Sequence, residues 1–538
     1  ASFALVMKAR SKSPDLLNRS IVPNIISIQE SEGLNESFFY TGLDAPTKKV
    51  VDKLIKEYRD AKNFGSILTP EIDDLNLVKA ALSTYKSQSH LGGHDYSLNR
   101  LAALVKQTEL LSNKYDVVIT NPPYMGSRGM NGPLNEYLRS RFPDSKMDLF
   151  AVFLERTISM TKRCGATASI NQQSWMFLSS YEALRAKLLE KQVIQSLLHL
   201  GPRSFEEIGG EVVQSVAFIL RNAAIHDYNS EFHRLVDGRS GEEKNTLFLE
   251  SQRRYIRKAS HFPHIPGSPI AYWATDAAIR PFHKGTRLEK IANPRQGMKT
   301  LDNNRFIRFW SEIDIIKAEF SSDTLREAKE SKCKWFPINH GGSYRKYYGN
   351  NLELVNWQND GSEIKALAKE RYNSITRTVT NIDSYFKEGI TWTTISTGKT
   401  SFRRFPKGFL FSNSGQSMVS DDVGLLDCLT GFLNSKVAKA LLEILTPTMG
   451  FESGYLKLLP ILPSIQNKTV RKLVSDTIDI SVIDWDSFEE SWDFQRHPLL
   501  VHKDGSSIEQ AFNNWADFAE DQFQQLKVNE EELNRIFI

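Results

Sequence analysis

The chain has 538 residues, 40% of them apolar and 25% charged, with a formal net charge of +4. That length predicts two or three domains, and the composition is that of a folded globular protein. Three widely separated cysteines, Cys164, Cys333 and Cys428, argue against a disulfide framework or a zinc site, and no apolar run approaches a membrane span. The same features, with no signal-peptide pattern at the first residues, lead us to expect a cytoplasmic protein.

Residues 1–114 read as mixed and largely helical, and Leu101–Leu111 has helical spacing. His90 and His94 have the spacing of a metal pair. The intervening Gly92-Gly93 speaks against a helix there, and no third ligand is apparent, so no metal is expected. Tyr115-Asp-Val-Val-Ile-Thr120 then reads as a buried strand, with Asn121-Pro122-Pro123-Tyr124 directly behind it. Neither proline can donate to a ladder, so the strand ends abruptly. The tetrapeptide is thereby expected at the carboxyl edge of a sheet, where open α/β folds place their ligands. It offers an amide side chain, a rigid backbone with free carbonyls and an aromatic ring, a set suited to gripping a planar amino group. Asn-Pro also makes ordinary turns; the preceding strand favours the functional reading.

The stretch 125–146 reads as a Gly-rich, basic loop carrying Arg128, Arg139 and Arg141, and we expect it to touch DNA. Ser145-Lys-Met-Asp148 is a capping-box pattern, followed by a helical stripe of Phe150, Phe153, Leu154, Thr157 and Ile158 that Cys164-Gly165 ends. A strand over 166–171, a helix over 181–191 and strands over 194–200 and 212–220 follow, the last two expected as the antiparallel edge of the sheet. Gln173, Ser174 and Trp175 could line the same edge, although Trp175 is more readily a core residue. Glu206, Glu207 and Glu211 around Gly209-Gly210 read as a solvated turn rather than an acid–base pair.

Residues 226–270 read as a connector, within which Gln252–Lys258 is either a phosphate contact or a solvated basic face. From 271 to 465, short apolar runs alternate with Gly, Asn and Ser, and aromatic residues are interleaved with cations. Three clusters stand out: Asn303, Asn304, Arg305 and Arg308; Arg345 and Lys346 among tyrosines; and Lys399, Arg403 and Arg404. Arg reads guanine and Asn reads adenine in the major groove, cations anchor phosphates, and aromatic rings stack on exposed bases. All these residues, with Arg128 and Arg139, are candidate DNA contacts. Residues 466–538 read as helices with acidic surfaces.

Asn-Pro-Pro-Tyr after an apolar strand is the signature of amino-methyltransferases. Tyr115–Asn131, Gln173–Ser180, Leu200–Gln214 and Ser491–Leu500 resemble the adenine-specific DNA methyltransferase of type-one BREX phage-defence systems, in the expected order. Thr446–Gly454 and Leu458–Ile461 resemble the closing segment of recognition regions in related restriction–modification enzymes. The resemblance implies an α/β fold: the second half of a Rossmann-like methyltransferase core over 1–225, then a mixed α/β target-recognition domain over 271–465 and C-terminal helices. It implies S-adenosylmethionine as donor, adenine N6 in double-stranded DNA as acceptor, and other BREX-system proteins as partners.

In that chemistry the Asn121 side-chain oxygen and the Pro122 carbonyl accept from the two N–H bonds of the adenine amino group and free its lone pair. Tyr124 offers a face to the flipped base. The family's glycine-rich cofactor loop has no counterpart before Asn121, and no G-x-G occurs in the chain. We therefore expect an internal fragment that binds S-adenosylmethionine weakly by itself. Two other readings stand beside this one: an amino-methyltransferase acting on RNA or on protein glutamine, and a DNA-recognition or assembly subunit without activity of its own.

Overall fold

A computed structural model describes residues 2–18, 23–32, 34, 43–88, 95–205, 213–395, 400–446, 450–505 and 507–538. The chain divides into two compact units, Ala1–Ser260 and His261–Ile538, both mixed α/β. The histidines at 90 and 94 and the glutamates at 206, 207 and 211 lie outside the described residues. Among the described residues, no helix is long and apolar enough to cross a membrane.

The first unit opens with helices α1 (Ser2–Arg10), α2 (Ala45–Glu57), α3 (Leu75–Gln88) and α4 (Asp95–Ser112). Val51, Leu54, Val78, Leu101 and Leu104 recur at helical spacing and form one core between α2, α3 and α4. Six strands follow: β1 (Tyr115–Thr120), β2 (Thr161–Gln172), β3 (Val193–Gly201), β4 (Ser215–Arg221), β5 (Asn229–Arg234) and β6 (Arg254–Lys258). Helices α5 (Gly132–Arg141) and α6 (Leu149–Met160) lie between β1 and β2, α7 (Glu182–Lys191) between β2 and β3, and α8 (Gly241–Leu249) between β5 and β6. The strands stand in the order β1-β2-β4-β3-β5-β6. β1 and β2 are parallel, as are β3 and β5, whereas β4 runs antiparallel to both β2 and β3.

Four expectations change here. The strand over 115–120 is not buried: Val117 and Ile119 are 58% and 77% exposed. It is an end strand of the sheet, paired only with β2 among the described residues. The antiparallel pair of β3 and β4 is present, but β4 lies inside the sheet, not at its edge. The stretch 125–146 is no open loop, because Asn131 caps α5 by accepting from Leu134 N at 3.0 Å, with Pro133 in the first turn. Where a connector was read, β5 and β6 extend the sheet, and the basic residues of β6 are spent on it: Arg254 pairs with Glu231 and Lys258 with Asp227.

The second unit holds two small sheets besides a short two-stranded ladder between Thr286–Arg287 and Pro460–Ile461. β7 (Ile307–Phe309), β8 (Trp335–Asn339), β9 (Glu353–Asn356) and β12 (Leu410–Phe411) form one, and β10 (Gly389–Thr393), β11 (Phe402–Phe405) and β13 (Gly415–Val419) the other. Helices α9 (Asp276–Lys284), α10 (Gln358–Tyr372), α11 (Val423–Leu433), α12 (Lys436–Leu445), α13 (Lys468–Asp486) and α14 (Ile508–Phe537) complete it. α11 is apolar nearly all round, with Leu426, Cys428, Leu429 and Phe432 buried, and so lies between the three-stranded sheet and α13.

Candidate functional site

β1 and β2 end side by side, with Thr120 paired to Ser169. At that end β2 also meets the start of β4, Gln172 opposite Ser215, and Ser215 in turn faces Gly201 at the end of β3. One edge of the sheet therefore gathers Asn121–Tyr124, Gln173, His199 and Gln214-Ser215.

Asn121 is exposed, Pro122 buried, Pro123 exposed and Tyr124 half-buried. Neither the Asn121 amide nor the Pro122 carbonyl has a hydrogen-bond partner among the described residues. The chain behind them is tied down. Asp148, the N-cap of α6, accepts from Met125 N at 3.0 Å and from Phe150 N at 3.3 Å. Leu149 N donates to Met125 O at 3.1 Å and Ser127 N to Met147 O at 2.9 Å. The capping residue is thus Asp148 rather than Ser145, and α6 ends at Met160, before Cys164-Gly165. Burial raises the Asp148 carboxyl above the usual carboxylate range, against the pull of its amide donors.

Tyr124 stands edge-on to Phe150, ring centroids 6.2 Å apart, and Phe150 in turn lies 5.6 Å from Tyr181. The Tyr124 hydroxyl is buried beside Ser215, whose hydroxyl is buried too, and neither has an aligned hydrogen-bond partner. Burial pushes the phenol pKa up, only partly offset by Ser215. Beneath them His199 Nε2 lies 2.6 Å from Gln173 Oε1, and Gln173 Nε2 donates to Gln214 Oε1. His199 is 2% exposed, and burial with the nearby Arg234 and Lys244 charges holds its pKa down to about 3. The ring is neutral at neutral pH. Trp175 is fully buried, 5.3 Å from the Phe218 ring, and serves the core, while its carbonyl accepts from the buried Arg185 at 2.9 Å.

Asp148 and His199 escaped the sequence reading. Asp148 carries a legible signal, an acidic residue immediately before the apolar stripe of α6. His199, inside the run Leu-Leu-His-Leu, carries none.

Among the candidate DNA contacts, Arg128 and Arg139 are exposed, the latter on α5, and neither has a side-chain partner among the described residues. In the second unit Asn303, Asn304 and Arg305 are exposed on one helical turn, with Arg305 also paired to Glu363 at 2.6 Å. Arg345 and Lys346 are spent inside the unit, the first against Asp484 and the Trp485 ring on α13, the second on Glu530 of α14 at 2.8 Å. Lys399 lies outside the described residues.

Arg403 and Arg404 are corrected outright. Arg403 is 1% exposed and donates to Gly341 O at 3.2 Å, with burial lowering its pKa to about 10. Arg404 pairs with Glu388 and Asp427, both at 3.3 Å, and donates to Gly389 O at 3.1 Å. Strand β11 packs against α11, and its outer edge is paired by a bridge from Tyr347 to Arg403, so neither cation reaches solvent freely.

Residues 28–205 match the Eco57I restriction–modification methylase family. The whole chain aligns with the adenine-specific methyltransferase PglX of Lacticaseibacillus casei (strain Zhang), 37% identical over 557 residues and covering 46% of that protein. It aligns equally with the adenine-specific methyltransferase BrxX of Escherichia coli O9:H4 (strain HS), 35% identical over 568 residues and covering 45% of it. Among solved structures, the type IIL restriction–modification enzyme MmeI in complex with DNA overlaps 78% of this chain and 57% of its own, with 13% identity and a TM-score of 0.42. The chain spans slightly under half the length of the curated relatives it matches. Along its whole length the chain is similar to the adenine-specific methyltransferases PglX and BrxX.

Proposed function

We propose that this chain carries the base-gripping half of a site-specific DNA adenine-N6 methyltransferase acting in BREX phage defence. The observation that carries the reading is the pair of unpartnered acceptors at Asn121 and Pro122, at the end of β1, on a segment held by Asp148. Both accept from the amino group of a flipped adenine, favouring a pyramidal nitrogen, and the Tyr124 ring packs against the base. His199, kept neutral by burial, adds no positive charge to this edge of the sheet. S-adenosylmethionine supplies an electrophilic methyl group when bound. This chain's own residues act on the acceptor side of the transfer.

On this reading the six-stranded sheet is the second half of a Rossmann-like core, supported by its order and by the antiparallel β4 between β2 and β3. The second unit then holds target recognition, followed by the C-terminal helices α13 and α14. Duplex DNA is the substrate, other BREX proteins are partners, and the compartment is the cytoplasm; similarity to PglX and BrxX supports each. The test is transfer of labelled methyl from S-adenosylmethionine by the protein isolated from its own source, offered duplex DNA, RNA and protein in parallel. Label in N6-methyladenine of duplex DNA, lost in Asn121→Ala with DNA affinity kept within about twofold, is the expected result. Label in RNA or protein, or label that survives Asn121→Ala, refutes the proposal.

A further inference from the structure

We infer that the cleft around Asn303 reads the major-groove edge of one base pair, adenine by preference, with His340 as a positioning residue; this rests on the second unit being the recognition unit. The cleft consists of two adjoining hollows of about 540 and 390 Å³, both lined by Asn303 and Asn304. Thr300 and Asp302 flank one hollow, and Arg308, His340 and Glu353 the other.

The Asn303 amide is held from both ends. Its Oδ1 accepts from the Thr300 hydroxyl, and its Nδ2 lies 3.4 Å from His340 Nε2. His340 Nδ1 lies 3.0 Å from Glu353 Oε2. A carboxylate only accepts, so the Nδ1 of a neutral His340 carries the proton and Nε2 is left as the acceptor for Asn303. The amide can then take only one orientation, with one N–H and one oxygen lone pair uncommitted. That side-by-side donor and acceptor complement the N7 and N6–H of adenine.

The supports are rigid. Thr300 is 2% exposed, Phe306 behind the turn is fully buried, Glu353 starts β9, and His340 directly follows β8. The carboxylates of the cleft are already engaged: Asp302 accepts from Arg305 N at 3.1 Å, Glu312 from Phe309 N at 3.0 Å, and Glu353 from His340. Exposed Lys299 on the rim offers a phosphate contact.

The experiment selects binders from a randomised duplex library with the unmodified chain and with the Asn303→Asp, His340→Ala and His340→Gln variants. The unmodified chain is expected to enrich a motif in which one adenine loses preference on the order of ten- to a hundredfold in Asn303→Asp, where the donor becomes an acceptor. His340→Ala weakens the same position and no other, and His340→Gln, which restores an acceptor, recovers part of it. Motifs of unchanged strength in Asn303→Asp and His340→Ala overturn the inference while leaving recognition by this unit intact. If the unmodified chain enriches no motif, the recognition reading falls and the inference with it. Melting curves accompany each variant, and His340→Ala, which leaves Asn303 in place, reports the same base should Asn303→Asp unfold.

Discussion

Asp148 ties Met125, the residue after the tetrapeptide, to the helix behind it. Asp148→Ala removes a helix cap, worth about 1 kcal/mol within a range of about 0.5–2. It also removes the acceptor for Met125 N, but Met125 is 40% exposed, so water takes over that amide and the added loss stays below ~1 kcal/mol. The total is about 1–2 kcal/mol. Asp148→Asn keeps an acceptor in place and sheds a half-buried charge, so it should stay within about 0.5 kcal/mol of the parent, inside the usual range for a tolerated change. The pH dependence follows from the raised pKa of this carboxyl. A pKa higher in the folded than in the unfolded state contributes stability that is whole below the ordinary value of 3.8 and is lost as pH rises through the folded value. Asp148→Asn removes that loss. Urea titrations across this range, with hydrogen exchange followed on peptides covering 121–150, give both readouts. Equal stability and exchange in Asp148→Ala and the parent, or Asp148→Asn as damaging as Asp148→Ala, would refute the clamp.

Arg404→Met strands Glu388 and Asp427 in a site where Arg404 is only 10% exposed, so it should cost about 3–5 kcal/mol while DNA affinity per folded molecule stays unchanged; a selective loss of affinity would restore Arg404 as a DNA contact. A Cβ on Gly297 would meet the Phe411 carbonyl oxygen at 1.9 Å, main chain that cannot swing aside, so Gly297→Ala should cost about 3 kcal/mol in urea unfolding, and a neutral result is the contrary one. His199, depressed to about 3, contributes stability that is whole above its ordinary value of 6.5 and falls as pH drops toward 3, by up to about 1.4 kcal/mol per pH unit. His199→Gln should flatten that slope, and a parent chain whose stability shows no slope there would contradict the assignment.

The fold was legible where a local signal is strong. The strand at 115–120, its abrupt end at two prolines and the helix–strand alternation after it all follow from period and proline chemistry. What tertiary placement decides was not legible. Val117 and Ile119 look like core letters, yet they lie on an end strand, because sequence does not say how many neighbours a strand has. Arg403 and Arg404 look like surface cations, yet the strand that carries them is packed against α11 and both side chains are largely buried. Alternation names the faces of a strand without saying what packs on each. The candidate acceptors at Asn121 and Pro122 could be named from sequence because they are adjacent residues directly behind a strand. The His199–Gln173–Gln214 chain was missed because it forms only when three strand ends converge.

The placement of β4 has a consequence for how the chain is made. In the sheet order, β4 alone joins the β1–β2 pair to β3, and β5 pairs with β3 on the far side. Until residue 221 has left the ribosome, the β1–β2 ribbon and the lone strand β3 flank an empty slot, because β5 is made only afterwards. A lesion such as Phe218→Asp would keep that slot from closing. Its effect should surface as poor yield and chaperone retention of the nascent polypeptide, well before any enzymatic readout.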